Sequence, residues 1–324
     1  MATDTITATD EISNESATKP LTGAEQPRTY APTPRKRRFG DRKDGRRLRT
    51  ISPMTQVMPF IMKERSDACN SFSDTLDVTR TDAFCKEMVA AGCEDFSFLH
   101  VLLAAYVRTV ALLPQINRFV SGQRIYARRG IEVVMTIKKE MTPESPETCI
   151  KVCFEPDDTV TEVYEKFNRV VQENKASADL DSDFDKTAGK LAALPRPILR
   201  GIVRFLNWLD YHGKLPSALA KVSPFHGSMI VTSMGSLGIK PIYHHIYNFG
   251  NLPIFLAYGI KRTVKTADSE GNPVSRKYID FKVVTDERIC DGFYLASAFK
   301  YIRHYVEHPD ALLTRPAQVA EDVD

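Results

Sequence analysis

The chain has 324 residues, of which 43% are hydrophobic and 26% charged, and its net charge is +3. That is enough apolar material for one large α/β domain or two small ones, which excludes a wholly disordered chain. The one long apolar run, Phe96 to Pro114, is interrupted by His100 and Arg108 and so does not read as a membrane span. The six cysteines (Cys69, Cys85, Cys93, Cys149, Cys153 and Cys290) form no CxxC pair with histidines nearby. No metal site is expected, and reduced, mostly buried thiols are.

Met1 to Ala24 is rich in Thr, Ala and acids, including Asp4, Asp10, Glu11 and Glu15. It has neither a basic start nor an apolar stretch, so it reads as neither signal nor transit peptide, and a cytoplasmic protein is expected. Residues 1–45 look disordered, with Pro20, Pro27, Pro32 and Pro34 and few bulky apolar groups. Charge is segregated. Arg35 to Arg49 holds nine Lys/Arg against Asp41 and Asp44, a local +7 that leaves −4 for the remainder. Such an arm is able to touch nucleic acid or an acidic surface, but no aromatic pattern for base stacking accompanies it, and a solvated linker is the favoured reading.

Folded structure is expected over 46–313, with a flexible acidic tail at 314–324. In chain order, Thr81 to Ala91 predicts a helix with Phe84, Met88 and Val89 on one face. Phe96 to Leu113 predicts a long apolar helix stopped by Pro114. Ile131 to Ile137 and Thr148 to Phe154 read as neighbouring strands. Thr159 to Asn174 is an amphipathic helix with Asp158 or Thr159 available as a cap.

Leu194 to Leu209 differs in character. Ile198, Ile202, Phe205, Leu206 and Leu209 fall at helical spacing, and Arg196, Arg200 and Arg204 mark another face. A helix of that kind either lies on a membrane surface or packs on protein, and packing is the favoured reading, with Trp208 in the core or an interface. Strands are then expected over His226 to Ser233, Pro253 to Ile260 and Tyr278 to Thr285, with a turn at Ser269 to Pro273. A closing helix runs from about Gly292 to Glu307. Alternating helices and strands around a large sheet imply α/β layering.

Asp286-Glu287-Arg288-Ile289-Cys290-Asp291-Gly292 lies where a strand runs into a helix. It resembles the His-Arg-x-x-Asp/Asn-Gly signature of the dihydrolipoamide acyltransferase catalytic domain of 2-oxo acid dehydrogenase complexes, and the HHxxxDG signature of the chloramphenicol acetyltransferases. Upstream, Ile230-Val231-Thr232-Ser233-Met234-Gly235-Ser236-Leu237-Gly238 is similar to that family's Thr-Ile-Ser-Asn-Leu-Gly-x-x-Gly strand and turn. Ile51 through Met62 resembles the family's entry into its first core helix, with Pro59 as a departure.

The resemblance covers roughly Arg46 to Glu307. It implies a chloramphenicol acetyltransferase-like two-layer fold, a mixed sheet with flanking helices, and acyl transfer between coenzyme A and a thiol or hydroxyl. Acyl-coenzyme A would be a substrate rather than a covalently held cofactor, and the acceptor a small or carrier-borne molecule. Family sites lie between subunits of a homotrimer, where a histidine takes the acceptor's proton and a hydroxyl steadies the oxyanion. By that resemblance Thr232 matches the hydroxyl donor, Ser233 is the fallback, and Asp291 is a structural carboxylate that pairs an arginine. Gly292 would let the backbone turn into the helix.

The histidine position holds Glu287. Glutamates ordinarily titrate near about 4.3 and thiols near about 8.5, so the substitution leaves a weak base unless burial strengthens it. Two readings stay open: glutamate as the catalytic base, or an inactive trimeric scaffold or acyl-coenzyme A-binding protein in which Glu287 is an ordinary carboxylate, for example paired with Arg288. His226, His244 and His245 are other candidates for the cleft, the last two as substrate-binding residues, although packing or solvent-facing roles are commoner for such histidines. No Gly-rich phosphate loop is present.

Overall fold

A computed structural model describes residues 27–32, 35–138, 147–176, 189 and 191–324, with Glu147 and Ala176 described by backbone alone. Its main element is a mixed six-stranded sheet. The strands are β2 (Cys69–Asp77), β5 (Ile131–Lys138), β6 (Glu147–Phe154), β7 (Met229–Ser233), β8 (Ile254–Ala267) and β9 (Pro273–Asp286), in the order β2-β9-β8-β7-β5-β6. β7 runs parallel to β5 and β8, while the other pairings are antiparallel. A second sheet of β1 (Gly45–Arg47), β4 (Arg124–Arg128) and β3 (Arg118–Ser121) sits beside it.

Alternation decides which side chains face which layer. On β9, Ile279, Phe281 and Val283 enter the main core, and Val284 belongs to a smaller cluster on the opposite face. On β8, Ile254, Leu256 and Tyr258 take the core side and Phe255 the other. The core side is covered by α2 (Thr79–Ala90), α3 (Phe98–Leu112), α4 (Val160–Ala176) and α7 (Gly292–Glu307), with α3 between α4 and α7. Every residue of α3 from Leu99 to Ala111 is buried. Even Arg108 is inside, donating to the carbonyls of Ala311 and Thr314 and lying over the Tyr305 ring. The opposite face is covered by the segment leading into β8, whose Ile246 and Leu252 close on Val134, Ile230 and Phe255.

Several expectations need correction. Of the arm expected over 1–45, residues 1–26 and 33–34 lie outside the described residues. The rest of it is held by ion pairs: Arg28 with Asp157 and Asp158, Arg35 with Glu321, Arg38 with Asp324, and a buried Arg42 with Asp44 and Asp210. The expected flexible tail is pinned too. Arg118 grips Asp322 through two contacts of 2.5 and 2.7 Å, both side chains being buried, and the Asp324 carbonyl accepts from the Arg49 and Thr50 amides. The basic arm and acidic tail neutralise each other.

The helix expected from Ile51 through Met62 forms as α1 (Pro53–Ile61), capped by Ser52 and with Pro59 inside it. It is not a core helix, since Met54, Val57, Phe60 and Ile61 are exposed. Between β6 and β7 stand α5 (Arg196–Tyr211) and the short α6 (Ser217–Val222). Asp210 is the one residue of these two helices that is buried, so the packing expected for α5 is largely missing within this protomer.

Candidate active site

The signature-like segment leaves the end of β9, and its geometry starts with Asp286. Alternation places Asp286 on the sheet's second face, fully buried. Arg288 donates to both its oxygens, from Nε at 2.8 Å and Nη2 at 2.7 Å, and Arg65 approaches at 3.4 Å. The two guanidinium groups also donate to main-chain carbonyls, Arg288 to Met62 and Arg65 to Val120, Tyr247 and Gly250. Through these two arginines one carboxylate ties three segments to the strand end: the residues after α1, strand β3 and the loop leading into β8. Arg65 is pushed below the usual arginine range by burial, with Asp286 opposing that shift.

Glu287 stands between these two buried residues and points out, its side chain exposed. Its amide donates to the Ala68 carbonyl at 2.8 Å, so the backbone is fixed. Arg288 is engaged with Asp286, not with Glu287 as was open from the sequence. Among the described residues of this protomer no arginine pairs Asp291. It is exposed and caps α7, accepting from the Tyr294 amide at 2.8 Å. The arginine-pairing carboxylate is Asp286, five positions upstream, which sequence reading passed over although an Asp-Glu-Arg run at the end of an apolar strand was a signal. Gly292 begins α7 with open space where a side chain would stand and without a positive φ, so the turn does not require a glycine.

Thr232 and Ser233 end β7 and alternate in direction. Thr232 shares the second face with Ile230, Phe255 and Val284, while Ser233 turns to the helical side. There Ser233 lines a cavity of about 760 Å³, with Gly235, Ser236, Tyr258, Cys85 and Phe98 among its walls. Gly235 lies so close to β8 that a Cβ would sit 2.7 Å from the Gly259 carbonyl oxygen, and Gly238 adopts φ +73° as the turn closes. At the cavity edge Asp82 accepts from Lys261 and Lys277. Burial alone would raise its pKa, but the two lysines outweigh burial and hold the carboxyl at about 2.

His244 also belongs to the second face, its ring stacked on Phe255 at 4.0 Å, and burial lowers its pKa. His245 is exposed. His226 is buried elsewhere, between Ser223 at 2.9 Å and Asp210 at 3.5 Å. The structure thus brings Thr232 and His244 to one face and leaves Glu287 apart. Thr232 pairs with Ala257, and Ala257 with Lys282, five residues before Glu287. At ~3.4 Å per residue and ~4.8 Å per strand, Thr232 and Glu287 of one protomer are roughly 20 Å apart.

No protein-family model and no curated protein matches the chain. Solved structures do. A probable dihydrolipoamide acetyltransferase from Listeria monocytogenes superposes with a TM-score of 0.50 at 14% identity, covering 82% of this chain and 95% of that one. A chloramphenicol acetyltransferase superposes with a TM-score of 0.50 at 12% identity, covering 81% and 99%. The chain has the chloramphenicol acetyltransferase-like fold. The likeness spans nearly the full length of both neighbours. Among the described residues, no helix is long and apolar enough to cross a membrane, and no group of three or more metal-ligating side chains gathers.

Proposed function

We propose that the protein is an acyltransferase that moves an acyl group between coenzyme A and a thiol or hydroxyl acceptor, at sites shared between copies of the chain in a homotrimer. The observation that carries this reading is the rigid presentation of Glu287. Its neighbours Asp286 and Arg288 are locked in a buried ion cluster while its own carboxylate faces outward, as a group acting on a second subunit's substrate must. Thr232, roughly 20 Å away in the same protomer, supplies the complementary half on the opposing copy. Exposed Leu237, Ile239, Ile242 and Tyr243 beside it, together with the apolar side of α1, offer the surface for assembly.

In the forward step the Glu287 carboxylate takes the acceptor's proton. The acceptor sulfur or oxygen attacks the thioester carbonyl, and the Thr232 hydroxyl donates to the oxyanion. Collapse expels the coenzyme A thiolate, which recovers the proton from Glu287.

The second reading, a non-catalytic acyl-coenzyme A-binding scaffold, is favoured by the exposure of Glu287, since nothing in this protomer closes over its carboxylate to form a reaction chamber. Purified full-length protein given acetyl-coenzyme A and dihydrolipoamide separates the two. Release of free coenzyme A that falls ~10²–10⁴-fold in Glu287→Gln supports catalysis. Tight binding without turnover, combined with activity gained in Glu287→His, supports the scaffold. A monomer by light scattering removes the shared-site reading.

A further inference from the structure

We propose that α5 is a membrane-surface helix which lays the protein on anionic lipid. The acyl-transfer reading makes no use of this helix. Three stripes run along it. Leu199, Ile202, Leu206 and Leu209 are half-buried towards the body, and Asp210 anchors the C-terminal end against Arg42 at 2.6 Å. A second apolar stripe faces out: Ile198, Phe205 and Trp208 are 52%, 57% and 50% exposed, with the Phe205 and Trp208 rings stacked. Beside it runs the third, Arg196, Arg200 and Arg204, all exposed. At 3.6 residues per turn, Arg204 stands almost directly one turn before Trp208, so the cations border the outward apolar stripe rather than opposing it.

Charge selects the occupant. No ion pair to these three arginines is found among the described residues, and the helix's one acid, Asp210, is spent on Arg42. Lys214 adds a further cation over the Trp208 ring at 5.9 Å. An apolar strip of aliphatic and aromatic side chains flanked by unopposed guanidinium groups fits lipid phosphates above an acyl boundary, where arginine and tryptophan both settle. At 16 residues, α5 lies along the interface and does not cross it.

Trp208 is the chain's only tryptophan, so its fluorescence reports on this helix alone. Full-length protein is mixed with vesicles of equimolar phosphatidylglycerol and phosphatidylcholine, or of phosphatidylcholine only. Co-sedimentation and a blue shift of Trp208 emission are expected with the anionic vesicles, reversed by high salt. Arg196→Gln/Arg200→Gln/Arg204→Gln, which keeps the reporter, should partition at least about tenfold less. Phe205→Ser should weaken binding with charge intact, and elution volume and circular dichroism show that both variants stay folded. The proposal is overturned by absence of vesicle binding in the wild type, by binding that the arginine variant leaves undiminished, or by a Trp208 shift that follows protein concentration without lipid, the mark of a second copy on this face.

Discussion

The carboxylate of Asp286 takes two hydrogen bonds from Arg288 and an ion pair from Arg65 with almost no water nearby. Asp286→Asn keeps the shape but leaves two buried guanidinium groups under-compensated. Breaking such a pair costs ~3–5 kcal/mol, so urea denaturation should show a loss of that order. A loss below about 1 kcal/mol would mean that the cluster does not hold the strand end. Sequence could point to Glu287, because the motif around it resembles a known signature. It could not say that Asp286, rather than Asp291, pairs the arginines. Both are aspartates near a strand end, and only the strand's alternation and the approach of Arg65 from far along the chain decide between them.

Elements whose apolar content follows one period were legible. α3 reads from its composition because both its neighbours and the sheet demand apolar contact all round. Its N-terminus carries a testable feature. The His100 ring accepts from the Ser97 amide through Nδ1 at 3.0 Å, which places the remaining ring proton on Nε2 towards Asn168. Burial pushes the imidazole down to about 4, with the Asn168 and Ser97 contacts opposing. The unfolded chain therefore binds the proton first, and stability should fall as pH drops from about 6.5 towards about 4. We expect about 2 kcal/mol less stability near pH 5 than near pH 7.5. His100→Gln should flatten that part of the profile, and an unchanged profile would contradict the role. β2, β3 and β4 were not legible. β2 is an edge strand reading Cys-Asn-Ser-Phe-Ser-Asp-Thr-Leu-Asp, with too few apolar positions to declare itself, and β3 and β4 are too short for a period to show.

At the scale of the whole molecule, the charge segregation seen in the sequence becomes a clasp. Arg35, Arg38 and Arg46 of the basic stretch meet Asp324, and Arg118 of β3 holds Asp322. Removing residues 315–324 should bare these arginines and also delete the Arg315 contact to Glu162. A lower melting temperature, with the loss reduced in high salt where only the exposed pairs are screened, is the expected outcome. A melting temperature equal to that of the full chain would mean that the tail contributes nothing.

Sequence by itself determined the layering and the two motifs, because hydrophobic period and short local patterns are properties of neighbours in the chain. It also marked α5 as amphipathic and basic. Tertiary structure alone decided that α5 is left uncovered, that the terminal charges close on each other, and that Thr232 and Glu287, each at the C-terminal end of its own strand, are held apart because those strands run antiparallel. Those outcomes depend on register and on contacts between residues hundreds of positions apart, which no local pattern encodes.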